Sequence, residues 1–153
     1  MDRESLKQSG SMPLNYLDNM QRSRKKYASM LEPVCRQYDL TRNELDILLF
    51  LANNPEYDRA ADIVAVRKIA KSHVSLAVTN LEHRGLLVRQ LEADDRRTSH
   101  LKLTDTAQPI IRAGQHLQKR FFTGIFAGLT REELEQWGVV LEKICRNIEN
   151  LDI

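Results

Sequence analysis

Hydrophobic residues recur every three or four positions along most of this chain, which predicts a mainly helical protein. The first such run places apolar residues on one face from Leu14 to Tyr38, and a second helix begins at Thr41. Thr41 and Glu44 have the spacing of a capping box, in which the hydroxyl and the carboxylate each accept a hydrogen bond from a backbone amide of the helix start. Pro55 ends this second helix, because proline disfavours a helical conformation in the residue before it.

The middle of the chain changes from helical to strand periodicity. A short helix is predicted over 60–69, and after a brief turn Ser72 is predicted to cap another helix that ends at Gly85. Apolar and polar residues then alternate over Leu87–Leu91 and again over Leu101–Leu103, as in the two strands of a hairpin whose polar tip is 92–98. Two short helices across a tight turn form a helix-turn-helix, and the hairpin after it predicts a winged helix.

Two further helices are predicted after the hairpin. Thr104 is predicted to cap the first and Gly128 to end it, while Thr130 and Glu133 form a second capping box. The last helix has a stripe of apolar residues at alternating steps of three and four, which are Leu134, Trp137, Leu141, Ile144, Ile148 and Leu151. A stripe of this length favours a partner helix, and the alternative is that it folds onto the core of its own chain.

Charge is distributed unevenly along the chain. The net charge is +2, but residues 59–102 contain nine Lys and Arg against five Asp and Glu, so the predicted winged helix carries the whole excess. Clustered basic residues are typical of nucleic-acid-binding proteins, although they also occur on ordinary solvated surfaces. No stretch resembles a secretory leader or a membrane span, so we expect a cytoplasmic protein whose two cysteines are thiols.

Six short segments in this order give the chain its resemblance to a known family. They are Leu40–Thr41, Ala61–Ile63, Lys71–Ser75, Leu81–Leu87, Asp94–Arg97 and Leu101–Thr104. With these segments the sequence resembles the MarR (multiple antibiotic resistance regulator) family of winged-helix transcriptional regulators, from about Tyr27 to the C-terminus. Each segment is weak alone, but together they indicate both the fold and binding to double-stranded DNA.

The resemblance implies a mainly α fold with a small β-wing, a winged helix-turn-helix whose N- and C-terminal helices form a dimerisation platform. We expect a disordered segment at 1–11 and a single domain at 12–153, with a DNA-binding lobe at about 41–104 and dimerisation helices at about 12–38 and 105–151. The expected partners are a second copy of the chain, a pseudo-palindromic operator and a small aromatic or anionic effector that releases the regulator, most simply a repressor, from DNA.

The N-terminal part of the second helix of a helix-turn-helix enters the major groove. The predicted contacts there are Lys71, Ser72, His73, Ser75 and Leu76. Hydroxyls and imidazole can bond base edges, whereas a leucine can contact only an apolar group such as a thymine methyl. Many family members have a basic residue where this chain has Leu76, so the resemblance does not extend to the operator sequence.

Cations beside this helix are candidate phosphate contacts, and the hairpin tip is a candidate minor-groove contact. Arg67 and Lys68 either meet phosphates or are solvated surface residues. Arg97 matches the family's minor-groove arginine, and Asp95 is placed to orient its guanidinium. Arg96 is either a further phosphate contact or idle.

The sequence is less informative about regulation. Met20, Arg24 and Tyr27 either line an effector pocket or serve as ordinary packing and surface residues. Cys35 is a minor candidate for thiol sensing, because its neighbour Arg36 could lower the thiol pKa.

Other function classes find little support in the sequence. There is no phosphate-binding glycine loop, no HExxH and no GxSxG motif, and the four histidines share no ligand spacing, so we expect no catalytic residue, metal or cofactor. The main alternative is a winged helix that binds another protein and no specific DNA, because a fold alone does not fix function.

Overall fold

The computed structural model describes residues 12–91 and 99–151. The helices within these ranges are α1 (Met12–Tyr38), α2 (Arg42–Asn53), α3 (Ala60–Arg67), α4 (Lys71–His83), α5 (Gln108–Ile125) and α6 (Arg131–Glu149). The strands are β1 (Leu87–Leu91) and β2 (Ser99–Leu103), and a 3-10 turn covers Asp105–Ala107. The mainly helical fold with a two-stranded β-wing is therefore confirmed. The chain divides into two compact units after Gln118, which lies within α5.

The core of the first unit is formed by α1 to α4, the hairpin and the start of α5. The C-terminal half of α1 contributes Leu31 and Val34, whereas Leu17 and Met20 near its start are exposed. The predicted capping box at the start of α2 is confirmed, because Thr41 Oγ1 accepts from the Glu44 amide and the Glu44 carboxylate accepts from the Thr41 amide. The core residues of α2 that this cap precedes are Leu45, Ile47, Leu48, Leu49, Phe50 and Leu51.

The helix-turn-helix differs from the prediction at its turn. Helix α3 ends at Arg67, two residues earlier than predicted, because Lys68 adopts a left-handed conformation with φ of 54°. Helix α4 therefore starts at Lys71 with Ala70 in the capping position, and no side chain caps it. The prediction that Ser72 caps this helix is wrong. The buried residues of α4 lie on one face of the helix, and they are Val74, Ala77, Val78 and Leu81.

The end of α4 leads directly into the hairpin. Gly85 has a φ of +67°, as predicted for a glycine that ends a helix, and the Leu86 amide donates to Leu81 O at 2.9 Å. Strands β1 and β2 pair antiparallel from Leu87 opposite Leu103 to Leu91 opposite Ser99. The hairpin tip at 92–98 lies outside the described residues.

Thr104 has a different role from the predicted helix cap. It occupies the residue before the 3-10 turn, but its hydroxyl donates to Gly85 O at 2.6 Å and makes no capping bond. This bond ties the end of the hairpin to the end of α4. Farther along α5, Gly114 faces Leu49 so closely that a Cβ atom there would lie 2.7 Å from a Leu49 methyl group, so a larger residue would fit only if the Leu49 side chain moved.

The second unit contains the end of α5 and all of α6. Gly128 has a φ of +84°, and the capping box of Thr130 and Glu133 at the start of α6 is present as predicted. Phe126 packs edge-on against Trp137 with ring centroids 5.1 Å apart. Helix α6 has no buried residue. Its apolar stripe is half-buried at Leu134, Leu141 and Ile144 and exposed at Trp137, Ile148 and Leu151.

No helix within residues 12–91 and 99–151 has the combination of length and apolar character that crossing a membrane requires.

Candidate nucleic-acid interface

The first half of α4 presents a polar face to solvent. Because Val74, Ala77 and Val78 face the core, the helical period places the predicted base-reading residues on the opposite side. These residues, Ser72, His73, Ser75 and Leu76, are all exposed. Leu76 is 62% exposed, which is unusual for a leucine in a helix whose other apolar side chains are buried.

Three cations surround the start of this helix. Arg67 ends α3, Lys68 forms the left-handed turn and Lys71 is the first residue of α4, and all three are exposed. None of them forms an ion pair with any residue in the described ranges. The amides of the first turn also point outward without a capping side chain. Cations and free amides at a helix start form a surface that favours an anion.

The base of the wing is held by a contact that the sequence analysis missed. Asp58, in the loop between α2 and α3, has its Oδ1 atom 2.7 Å from His100 Nδ1, and its Oδ2 accepts from Lys102 Nζ at 3.1 Å. The Leu101 amide also donates to Asp58 O at 2.7 Å. Partial burial opposes ionisation of Asp58, but the hydrogen bonds from His100 and Lys102 outweigh it and hold the pKa of the carboxyl below its usual value.

The other strand of the wing contacts α4. Arg89 on β1 donates through Nη2 to Thr79 Oγ1 at 3.3 Å, and its Nε lies 3.3 Å from Glu82 Oε2. The hairpin is thus attached to the loop before α3 through β2 and to α4 through β1. Contacts between residues so far apart in sequence leave no local signal in the sequence. The alternation of His100 and Lys102 on one strand could have suggested an acidic partner, which is Asp58.

The predicted wing contacts Asp95, Arg96 and Arg97 lie outside the described residues. The two strands on either side of the tip are described. A cavity of about 430 Å³ lies between α3, α4 and these strands, and Lys71, Ser75 and Arg89 are among the residues that line it.

Two of the three candidate effector residues line one groove of the described part of the chain. Met20 and Arg24 line an open groove along α1 together with Leu17, Gln21, Lys25 and Ala28. Tyr27 instead belongs to a polar network between helices. Its hydroxyl accepts from Gln118 Nε2 at 2.6 Å, and the Arg42 guanidinium lies over its ring, 5.2 Å from the centroid. The effector role of Met20, Arg24 and Tyr27 stays a prediction.

Cys35 does not have the environment expected of a reactive thiol. It is buried, and burial raises the pKa of its thiol, while Arg42 opposes the increase only in part. The expected activation by Arg36 is absent, since the Arg36 guanidinium pairs with Glu32 at 3.2 Å. A raised pKa disfavours the thiolate and so disfavours thiol sensing at this position.

The described part of the chain contains no group of three or more His, Cys, Asp and Glu side chains that could hold a metal ion.

Comparison with known proteins agrees with this geometry. A family model described as the MarR family matches residues 38–98, which span the end of α1, the helix-turn-helix and most of the wing. This match confirms the resemblance that the sequence segments indicated.

Solved structures with the same fold extend the likeness to most of the chain. A MarR-family transcriptional regulator of Listeria monocytogenes in complex with 26-mer DNA is 19% identical, with a TM-score of 0.76 over 86% of this chain and 87% of that chain. The S. aureus MepR–DNA complex is 21% identical, with a TM-score of 0.73 over 91% and 99%. BpsR of Bordetella bronchiseptica, whose DNA binding is regulated by 6-hydroxynicotinic acid, is 18% identical, with a TM-score of 0.63 over 94% and 97%.

Proposed function

We propose that this chain belongs to the MarR family, which the match of residues 38–98 supports, and that the protein is a sequence-specific, double-stranded-DNA-binding transcriptional regulator. The observation that carries the proposal is the first half of α4, where an exposed face of hydroxyl and imidazole groups adjoins three cations that form no ion pair with another described residue. A regulator has no need of catalytic residues, and the family consists of regulators and not of enzymes.

In the proposed complex, α4 lies in the major groove with Ser72, His73 and Ser75 at base edges. Hydroxyl and imidazole groups can donate or accept there, and Leu76 can contact a thymine methyl group. Lys71, Lys68 and Arg67 neutralise phosphates beside the groove and release counterions, so they contribute affinity without sequence preference.

The proposed active form is a homodimer. Helices α1 and α6 each leave an apolar face exposed, with Leu17 68% exposed on α1 and Ile148 55% exposed on α6. A second copy of the chain would remove these faces from water, in keeping with the proposed dimerisation helices at about 12–38 and 105–151. The two copies of α4, the recognition helix, would be related by twofold symmetry. They would read inverted half-sites about one turn of the DNA double helix apart.

The finer role is a cytoplasmic repressor that a small aromatic or anionic effector releases from its operator. The likeness to BpsR supports this part, because that protein's DNA binding responds to an aromatic acid. Binding assays on the operator fragment, with and without 6-hydroxynicotinic acid, test whether this chain responds to the same class of compound.

Footprinting of the purified protein across genomic fragments, at stated salt, is the experiment that tests the proposal. We expect a motif of two inverted half-sites, and Ser75→Ala and His73→Ala should each reduce the preference for that motif over a scrambled duplex by about tenfold, since a good base contact is worth about 1–3 kcal/mol. Ser29→Ala, an exposed serine on α1, is the matched control. Equal affinity of the wild type for motif and scrambled duplex would refute the function.

Arg97 is proposed to enter the minor groove from the wing tip, with Asp95 orienting it and Arg96 near phosphate. Arg97→Ala should weaken binding and make the slope of log affinity against log salt shallower by about one unit, because one cation fewer meets the DNA. Arg131→Ala on α6 removes an equal charge outside the winged helix and should leave the slope unchanged. A slope in Arg97→Ala equal to that of the wild type would contradict the role.

One observation favours the protein-binding alternative. Leu76 at 62% exposure and Val66 at 48% give the helix-turn-helix some exposed apolar surface, which a protein partner would bury. The same salt series separates the two functions, because a protein interface of this kind would show little dependence on salt.

A further inference from the structure

The recognition helix ends in a two-pronged contact with the end of α1. Arg84, the residue that follows α4, donates through Nη1 to Asp39 O and through Nη2 to Tyr38 O, each at 2.6 Å. The two partners lie 45 and 46 residues away in sequence. Arg84 therefore joins the last turn of the first helix to the last turn of the recognition helix.

The backbone at the end of α1 is shaped to accept this contact. Asp39 has a φ of 51°, and the Leu40 amide donates to Cys35 O at 2.8 Å, so α1 ends in the same left-handed manner as α4. The end of a helix carries unsatisfied carbonyl groups and the negative end of the helix dipole. A guanidinium group can bond two adjacent oxygens at once because it is planar and has several donors, which an ammonium group cannot do with fixed geometry.

A second polar contact lies one turn earlier on α4. Asn80 Nδ2 donates to Glu44 Oε1 at 3.0 Å, and the other oxygen of that carboxylate accepts from the Thr41 amide at 2.9 Å. Glu44 is 4% exposed. A buried carboxylate is costly unless its hydrogen bonds are kept, so Glu44 holds Asn80 in one place relative to the start of α2.

The two contacts are confined to one end of the recognition helix. Asn80 and Arg84 are four residues apart and both bond to residues 38–44, which we call the α1–α2 corner. Among the described residues, by contrast, no side chain from Lys71 to Leu76 makes a hydrogen bond or an ion pair with another residue. Within the described residues, the exposed face of Ser72, His73, Ser75 and Leu76, which we call the reading face, is therefore held by packing and by polar contacts at the far end of its helix. Arg89 of β1 adds to the contacts at that end, through Thr79 and Glu82.

We propose that Arg84, supported by Asn80, is the positioning residue of α4, the recognition helix. Through Arg84, a movement of the end of α1 changes the orientation of α4 and so moves its DNA-reading face. This inference rests on the proposed DNA-binding function. Ser75 lies about 14 Å along the helix from Arg84, so a tilt of about 5° at the α1–α2 corner moves it by about 1 Å. A displacement of that size is enough to lengthen a base-edge hydrogen bond beyond its useful range.

The test compares Arg84→Ala and Arg84→Lys with the matched control Arg36→Ala, which removes an exposed arginine on α1 near the α1–α2 corner. Lysine keeps the charge but cannot bond both carbonyls, so both Arg84 variants should lower the preference for the footprinted motif over scrambled duplex by about tenfold. Affinity for scrambled duplex and the salt slope should stay as in the wild type, and Arg36→Ala should change neither.

Hydrogen exchange of the free protein supplies a readout that does not depend on DNA. In Arg84→Ala, amides of residues 71–83 should exchange faster than in the wild type, while those of α2 should be unchanged.

The outcomes are distinct. A wild type without sequence preference would refute the proposed function, and unchanged exchange over 71–83 would then refute the positioning role as well. A wild type that discriminates, with Arg84 variants that discriminate equally well, would overturn only the positioning role. A shallower salt slope with equal losses on both duplexes would show that Arg84 is a phosphate contact, which also overturns it.

Discussion

Replacing Leu81 by Ala is expected to lower the free energy of unfolding by about 3 kcal/mol. Leu81 has no exposed surface and belongs to the core cluster that α4 shares with α2 and the hairpin. Its loss removes the apolar area that attaches the recognition helix to the core and leaves a cavity that the surrounding helices can fill only in part. Urea denaturation at neutral pH measures the change.

Leu76→Ala is the matched control, because it makes the same substitution five residues earlier on the same helix. Leu76 is 62% exposed, so its removal should change the free energy of unfolding by no more than about 0.5 kcal/mol. It should nevertheless lower the preference for the footprinted motif, if Leu76 contacts a thymine methyl group. Similar stability losses in both variants would contradict the burial of one leucine and the exposure of the other.

The helices could be predicted from the sequence because their signals are local. Thr41 with Glu44 and Thr130 with Glu133 both form the capping boxes that their spacing indicated. Gly85 and Gly128 both adopt the left-handed conformation that ends a helix. In each case the residues that decide the structure lie within one turn of one another, so tertiary packing has little opportunity to override them.

The turn of the helix-turn-helix was harder to predict. Ser72 is a good capping residue by type, but the left-handed conformation of Lys68 starts α4 early enough to place Ser72 inside it. Thr104 is an equally good capping residue, yet its hydroxyl bonds to Gly85 O. A Ser or Thr hydroxyl near the start of a helix can cap the helix or bond to another nearby backbone group. The residue type alone does not show which of these bonds forms.

The contacts that orient the site could not be predicted, because they join distant parts of the chain. Arg84 bonds to the end of α1, and Asp58 bonds to β2 across 42 residues. The sequence showed that the reading face of α4 is polar and that the middle of the chain is basic. It did not show which of the remaining charged residues hold the helix and the wing in place.

Among these contacts between distant parts of the chain, the one made by Asp58 has the largest expected effect on stability. Asp58→Ala should lower the free energy of unfolding at pH 7 by about 2 kcal/mol, since hydrogen bonds to a charged group contribute about 1.5–3 kcal/mol and this carboxylate is mostly shielded from solvent. Asp105→Ala is the matched control, because Asp105 is exposed and makes no side-chain bond to a described residue. It should change stability by no more than about 0.5 kcal/mol.

The dependence on pH follows from the direction of the shift. Partial burial alone would raise the pKa of Asp58, but the bonds from His100 and Lys102 outweigh it, so the pKa is lower in the folded protein than in the unfolded chain. The unfolded chain therefore binds the proton more tightly, and the ionised carboxylate contributes stability that is fully present above the unfolded value of about 3.9. That contribution is lost as pH falls through the folded pKa.

Urea denaturation of the wild type and Asp58→Ala between pH 7 and pH 3 tests this linkage. Between pH 5 and pH 3 the difference in the free energy of unfolding should shrink, as the wild-type carboxylate takes up its proton. The wild type should therefore lose stability toward acid more steeply than the variant. A difference that grows from pH 5 to pH 3 would mean that folding raises the pKa of Asp58, which would contradict an ionised carboxylate at this contact.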